Sequence, residues 1–268
     1  PNDESVLSIL DKLSLIIDGK ITNAGILLFG KNPQKAFINS NIRVGAFKGN
    51  DSTTIVSDRI IDGNLFEQVT KAEEAIKFCI NVNYSITGET SERKEIWDYP
   101  LSAIRETLLN AIVHRDYFDR SSPIQIKVFK DWLWFFNPGN LVEDITIDSL
   151  KSFHPSKPRN PLIANVFYRA GLIEQFGSGI DRIMHACHTE IIPEPEFTEE
   201  CGGFSVKFKK EFTNLNKRQI QALIYIKENG SITNSKYQEI TNSKRATVKR
   251  DLSEMIDLGI IEIGRAHV

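Results

Sequence analysis

Several features are scarce or missing in this 268-residue chain, and each absence narrows what it can do. Its three cysteines, Cys79, Cys187 and Cys201, stand at scattered spacings. They supply no disulfide framework and fit a reducing cytosol. No apolar run approaches the roughly 20 residues of a membrane span, and no secretory signal opens the chain. A cytoplasmic protein with no membrane partner is expected. A net charge of only −2 excludes a chain that is polybasic throughout. There is no internal repeat and no low-complexity tract.

Charge is present but unevenly placed. From Thr213 to the end there are nine Lys/Arg and six Asp/Glu, a net of +3, and the remainder carries 24 basic and 29 acidic groups, a net of −5. The ends have the look of cuts. Pro1 stands directly before a helical pattern with no Met, and the closing IGRAHV is what a common sequencing adapter would encode in frame. Residues 263–268 are therefore expected to be non-native.

Periodicity divides the chain into elements. An amphipathic helix carries Val6, Leu7, Leu10, Leu13 and Leu15. KITNAGILLFGKNP reads as turn, apolar run, turn. NIRVGAFKGND and TTIVSDRIIDG read as a strand hairpin, and Asn64 to Tyr84 as a helix with Leu65, Val69, Ala72, Ile76 and Ile80 on one face. Pro100 opens another helix, where a fixed φ and a missing N–H cost nothing. In SPIQIKVFKDWLWFFNPGN, Ile124, Ile126 and Val128 alternate with polar residues, Lys130-Asp131 turns, and Leu133 to Phe136 returns. An irregular stretch runs from Asn137 to about Asn160. A helix from Pro161 to Ala170 follows, then a glycine loop entering a helix, then a closing strand with Phe204, Val206 and Phe208 on one face. Beyond Asn214 come three short helices, Lys217 to Glu228, Asn234 to Ile240 and Ser243 to Leu258, and a strand from Ile260 to Ile263. That is helix-turn-helix spacing with the start of a wing.

Five motifs bear on chemistry. GILLFGKN, Gly25 to Asn32, nearly spells a P-loop, but its middle residues demand a core and Asn32 replaces the hydroxyl that would hold Mg²⁺. A buried strand ending in a turn is the better reading. In RETLLNAIVHRDY, Glu106, Asn110 and His114 are spaced by four and share one helical stripe amid apolar residues. Glutamate can orient and deprotonate water, and an asparagine carbonyl one turn on can bind Mg²⁺; an ordinary polar helix surface is the alternative. His114, Arg115 and Asp116 extend that site or end the helix with cationic groups near its last carbonyls, the favoured reading for Arg115.

In EQFGSGIDRI, Gly177 and Gly179 let backbone N–H groups face a cavity where a helix begins, as phosphate binding requires. Glycine loops also serve simply as turns. His185, Cys187 and His188, with Cys201, have no second ligand pair at zinc-motif spacing, and neither zinc nor haem is expected. The last helix begins with Lys244, Arg245, Thr247, Lys249 and Arg250 before any acid. Those positions meet phosphates and base edges in a helix-turn-helix. A protein-contact face is the alternative, and the basic composition of this unit favours DNA.

In order, these pieces resemble a known family. A Glu-x-x-x-Asn helix, a hairpin ending in NPG, a lid-like segment, GSG entering a helix and GGFSVKF resemble the GHKL (Bergerat-type) ATP-binding fold. NAIVHRDY, NPGNL, RNPLIANVF and IEQFGSGIDRI are closer still to the divergent RecG-helicase-like C-terminal domain, and NAGILLFGKNP resembles the end of a Schlafen-type AlbA-like domain. The resemblance implies an α+β protein: an AlbA-like remnant with connecting elements over residues 1–96, a GHKL-like α/β sandwich over 97–212 and a truncated winged helix over 213–268. It implies Glu106 as water-activating base, Asn110 as Mg²⁺ ligand, Asn137 and Gly139 in an adenine loop, Gly177, Ser178 and Gly179 as phosphate loop, and residues 140–170 as lid.

This sequence departs from the family pattern in three places. Asn137 replaces the adenine-binding aspartate, the second glycine of that loop is replaced near Asn140-Leu141, and the third glycine of the second loop is Asp181 or absent; an inward carboxylate there would repel phosphates. With no P-loop and no strand-like Asp-Glu-x-x box, helicase activity is not expected. The expected protein is a prokaryotic regulator that binds ATP with Mg²⁺ and contacts DNA through the winged helix. A homo-oligomer is a further expectation. The alternatives are a weak ATPase and an inactive scaffold for protein contacts.

Overall fold

The structure is a computed structural model that describes residues 5–86, 93–152, 155–174, 177–212, 215–262 and 264. The suspected non-native tail lies outside these residues except for Gly264.

In chain order the elements are α1 (Val6–Lys12), β1 (Ile16–Ile17), β2 (Lys20–Ile21), α2 (Asn23–Phe29), β3 (Ile42–Phe47), β4 (Ile55–Ile61), α3 (Leu65–Cys79), β5 (Val82–Ile86), β6 (Arg93–Trp97) and α4 (Leu101–His114). There follow β7 (Ile124–Val128), β8 (Trp132–Pro138), α5 (Ile147–Leu150), α6 (Pro161–Arg169), α7 (Gly179–Thr189), β9 (Glu196–Glu200) and β10 (Gly203–Lys209). The chain closes with α8 (Lys217–Asn229), α9 (Asn234–Thr241) and α10 (Arg245–Asp257).

The framework is a six-stranded mixed sheet in the order β4-β3-β7-β8-β10-β9. Among the described residues only β3 and β7 pair in parallel, Ile42 opposite Ile124 and Val44 opposite Ile126. That pairing needs a long crossover, and α3, β5, β6 and α4 supply it. Alternation decides which side is buried: Ile124, Ile126 and Val128 face the core, while Gln125 and Lys127 are half-buried on the other face. There Lys127 lies 4.8 Å above the Trp134 ring. The helices cover the inward side, and one apolar core runs from Leu15 to Phe208. The expected boundary at residues 96/97 falls in β6, in a separate two-stranded sheet, and the strands on either side of it share the six-stranded sheet and the core.

The α+β class and the β3–β4 and β7–β8 hairpins agree with the sequence reading. Several local expectations are corrected. GILLFGKN forms no strand. Thr22 caps α2 by accepting from the Gly25 amide at 3.1 Å, and Gly25, Leu27 and Leu28 turn inward. A short apolar run cannot by itself choose between strand and helix. The helix from Asn64 stops at Cys79, because Ile80 is extended and Val82–Ile86 pairs with Arg93–Trp97. The supposedly irregular segment begins inside β8 and contains α5, a single turn closed by a Thr146–Ser149 capping box. The edge strand β9, rich in glutamate, has no strand signature in the sequence.

The last three helices form as read. Their centre is Asp251, fully buried, which accepts from Arg218 at 2.7 Å and from the Tyr237 hydroxyl at 3.1 Å. Burial pushes this carboxyl up, and the bonds from Arg218 and Tyr237 outweigh that, holding it below the usual carboxylate range. The wing strand expected at Ile260 to Ile263 is not formed at 260–262: Ile260 instead packs with Leu223 and Met255, and Ile263 lies outside the described residues.

Candidate functional site

The site is built on α4. Pro100 stands at its N-cap, and Ala103, Ile104, Leu108, Leu109, Ile112 and Val113 are buried. The stripe of Glu106, Asn110 and His114 stays half-buried, so the helix presents its polar line to something other than core. Its C-terminal end is tied down from afar. Asn160 donates its amide to the carbonyls of Val113 (2.9 Å) and Arg115 (2.7 Å), and Arg159 donates to that of His114 (3.1 Å). The cation at the helix C-terminus is thus Arg159. Arg115 does not play the part expected of it. It is buried, donates to the Ser122 carbonyl at 2.9 Å, and burial lowers its pKa.

Along β8, Leu133 and Phe135 point inward, and the next inward position is Asn137. An apolar register therefore ends in a carboxamide. Asn137 is 5% exposed, and its Oδ1 is buried with no hydrogen-bond partner. Such an orphan acceptor is costly unless a ligand donates to it. Gly139 follows at φ +109°, and a Cβ there would lie 3.1 Å from the Cβ of Asp116. The turn closes on the end of α4 through the Asp116 amide, which donates to the Pro138 carbonyl at 2.8 Å.

The second glycine loop comes from the other side. Gly177 has φ +73°, and Gly179 starts α7. A Cβ on Gly179 would sit 2.5 Å from Glu106 Oε1 and 3.1 Å from Asn110 Nδ2. Only glycine lets the start of α7 rest directly on the α4 stripe. One turn into α7, Arg182 donates to Glu106 Oε2 at 2.9 Å, to the Ser178 hydroxyl at 3.1 Å and to Glu174.

Glu106, Asn110, His114, Asn137, Gly139, Gly177 and Gly179 all line one cavity of about 370 Å³. That volume is in the range of small-molecule sites. Ser178 is not part of the lining; it is the N-cap of α7, and its hydroxyl serves Arg182 and Glu174. Asp181 is exposed and does not line the cavity, so the repulsion expected of it does not arise. Val142, Ile145, Leu150 and Phe204 form an apolar wall, and Lys157, Arg159 and Arg182 bring positive charge.

Sequence reasoning missed Arg182, Glu174, Lys157 and Arg159. The spacing of Ser178 and Arg182, one helical turn, was a legible hint for one of them; nothing local signals the others. No cluster of three or more His, Cys, Asp or Glu able to hold a metal occurs among the described residues. Cys187 is buried, which raises its thiol to about 12, and His188 sits 3.2 Å from the Gly259 carbonyl.

Residues 121–208 match the model of the family described as "Putative ATP-dependent DNA helicase recG C-terminal". This segment is similar to that ATPase-type domain. The match covers the two glycine loops and begins after α4, so Glu106 and Asn110 enter through geometry alone. The fold is similar to the crystal structure of the DIP2311 protein from Corynebacterium diphtheriae, with TM-score 0.65 and 20% identity over 94% of this chain and 54% of that one. The chain therefore spans about half the length of that relative. No curated protein matches the chain.

A separate feature lies on α10. Lys244, Arg245, Lys249 and Arg250 are exposed and Thr247 is half-buried, while Val248, Asp251 and Met255 face inward. Arg250 is 3.7 Å from Asp251 and 3.9 Å from Glu254. The cations form one outward surface at the start of the helix.

Proposed function

We propose that the chain is a nucleotide-responsive, DNA-binding regulator whose RecG-C-terminal-like domain takes ATP. The observation that carries this reading is the convergence of the α4 stripe and both glycine loops on one cavity, beside the unpartnered Asn137 Oδ1. An adenine amino group is the donor that such an acceptor lacks. Gly177 and Gly179 offer backbone N–H groups and the start of a helix to phosphates. Asn110 would hold Mg²⁺ through its amide oxygen, with the nucleotide's own phosphates completing the coordination. Mg²⁺ would neutralise phosphate charge there.

The lining contributed by Val142, Ile145, Leu150 and Lys157 lies within residues 140–170. A ligand contacting that segment shifts its conformational population. The basic surface of α10 supports DNA contact through phosphates. Ligand-dependent presentation of that surface is the regulatory step.

Thermal shift against a nucleotide panel with Mg²⁺, with Asn110→Ala as control, tests the first half. ATP raises the melting temperature of the native chain and raises that of the variant less. No shift with any nucleotide supports the inactive scaffold instead. Filter binding of the intact gene product to its own promoter, with and without ATP, tests the second half. Absence of binding in both conditions at low salt overturns it.

Turnover would need Glu106 free to activate water, and Arg182 engages it here. The ATPase alternative requires phosphate release that vanishes in Glu106→Ala while binding survives.

A further inference from the structure

Arg182 engages three side chains around the cavity. It reaches Glu106 on α4, Glu174 before the phosphate loop and Ser178 at the N-cap of its own helix. Its surroundings are asymmetric. The Glu106 side chain is 13% exposed and the Glu174 side chain 65% exposed, with Arg182 between them at 35%. Two carboxylates share one guanidinium, so the group carries a formal excess of one negative charge at the mouth of a site read as binding polyphosphate. That excess opposes an incoming anion unless the guanidinium turns towards it.

We infer that Arg182 is a positioning latch with two sets of partners. This rests on the nucleotide reading above. In the first state it holds Glu106 and Glu174. In the second it turns to the polyphosphate lying over Gly177 and Gly179, and Glu106 is released into the cavity. Guanidinium serves both states well, because its planar fork matches carboxylate and phosphate alike. Arg182 itself lines the cavity with both glutamates and both glycines, so the exchange needs no movement of the fold. The carboxylates compete with the phosphates for one cation, and a triphosphate competes better than a diphosphate because it carries more charge. The latch thus couples the ligand's charge to the freedom of Glu106.

The competition makes an unusual prediction: removing a carboxylate tightens binding. Isothermal titration of the full chain with ATP and with ADP, each with Mg²⁺, is compared across the native protein, Glu174→Gln, Arg182→Gln and Arg182→Lys. Glu174→Gln removes an exposed competitor and tightens ATP by about threefold to fivefold. Arg182→Gln weakens ATP by about tenfold or more and narrows the ATP-to-ADP ratio. Arg182→Lys restores the charge without the fork, and recovers part of the affinity and of the ratio. Melting curves of the same proteins without nucleotide report on folding separately, and Glu174→Gln keeps the test meaningful even if both Arg182 variants fold poorly. If ATP binds the native chain and Glu174→Gln leaves its affinity unchanged or weaker, the latch is refuted and the nucleotide reading stands. If the native chain binds neither nucleotide, both fall.

Discussion

Gly179→Ala separates the stability of the fold from the use of the site. The new Cβ would lie 2.5 Å from Glu106 Oε1 and 3.1 Å from Asn110 Nδ2. An unstrained carbon–oxygen contact is about 3.3 Å, so one partner must retreat by about 0.8 Å. Glu106 is the far end of a flexible side chain, but Arg182 holds it. Either that ion pair breaks or the start of α7 lifts off α4. Alanine for glycine within a helix favours folding by about 0.8 kcal/mol, and overpacking costs about 1–3 kcal/mol. The net destabilisation is then about 1 kcal/mol, or about 3 °C in melting temperature for a chain of this size. Nucleotide binding responds differently, because the added methyl shifts the start of α7, whose backbone N–H groups would meet phosphate. Loss of one charged hydrogen bond weakens ATP by about tenfold or more. Paired melting curves and ATP titrations of the native chain and the variant measure both. A variant that melts within a few degrees of the native protein and binds ATP equally well would refute the assignment of phosphates to the α4–α7 junction.

Three further outcomes are expected. Asn137→Ala removes an acceptor that already lacks a partner, so stability changes by no more than about 1 kcal/mol while ATP affinity falls about tenfold; calorimetric titration with ATP and with inorganic triphosphate separates loss of the adenine contact from a general effect. Asn160→Ala strips donors from the Val113 and Arg115 carbonyls and lowers stability by about 2 kcal/mol, seen in scanning calorimetry. Asp251→Asn destabilises the three-helix unit by about 2 kcal/mol at neutral pH. Because the folded carboxyl of Asp251 is held below its usual range, its stabilisation is present above the unfolded pKa, about 3.9, and is lost as pH falls through the lower folded value. The gap between urea melts of native and variant protein should therefore begin to narrow below about pH 4 and close only below the lower folded value, and a constant gap at all pH values would contradict the account.

Much of the site was legible because it is written at helical and strand periods. The spacing of Glu106, Asn110 and His114 put them on one line of α4. The inward register of β8 broke at Asn137, and the glycines at 139, 177 and 179 marked the backbone close approaches. Residues without a local pattern were not legible. Arg159 and Asn160 cap α4 from more than forty residues downstream, and nothing around them spells a helix cap. Arg115 reads as an ordinary helix-end cation and is instead buried against the Ser122 carbonyl. α2 is a helix because Thr22 caps it and its leucines find core on one side, a choice that a run of Ile-Leu-Leu-Phe leaves open.

By itself the sequence determined most of the elements, the polar stripe and the two glycine loops, since each depends on residues a few positions apart and on backbone sterics. Only the tertiary structure decided that β3 pairs in parallel with β7, that Gly179 rests on Glu106 and Asn110, and that Arg182 holds the glutamate facing the cavity. Those contacts join segments separated by tens of residues. They depend on how the long crossover packs against the sheet, and no local period encodes that.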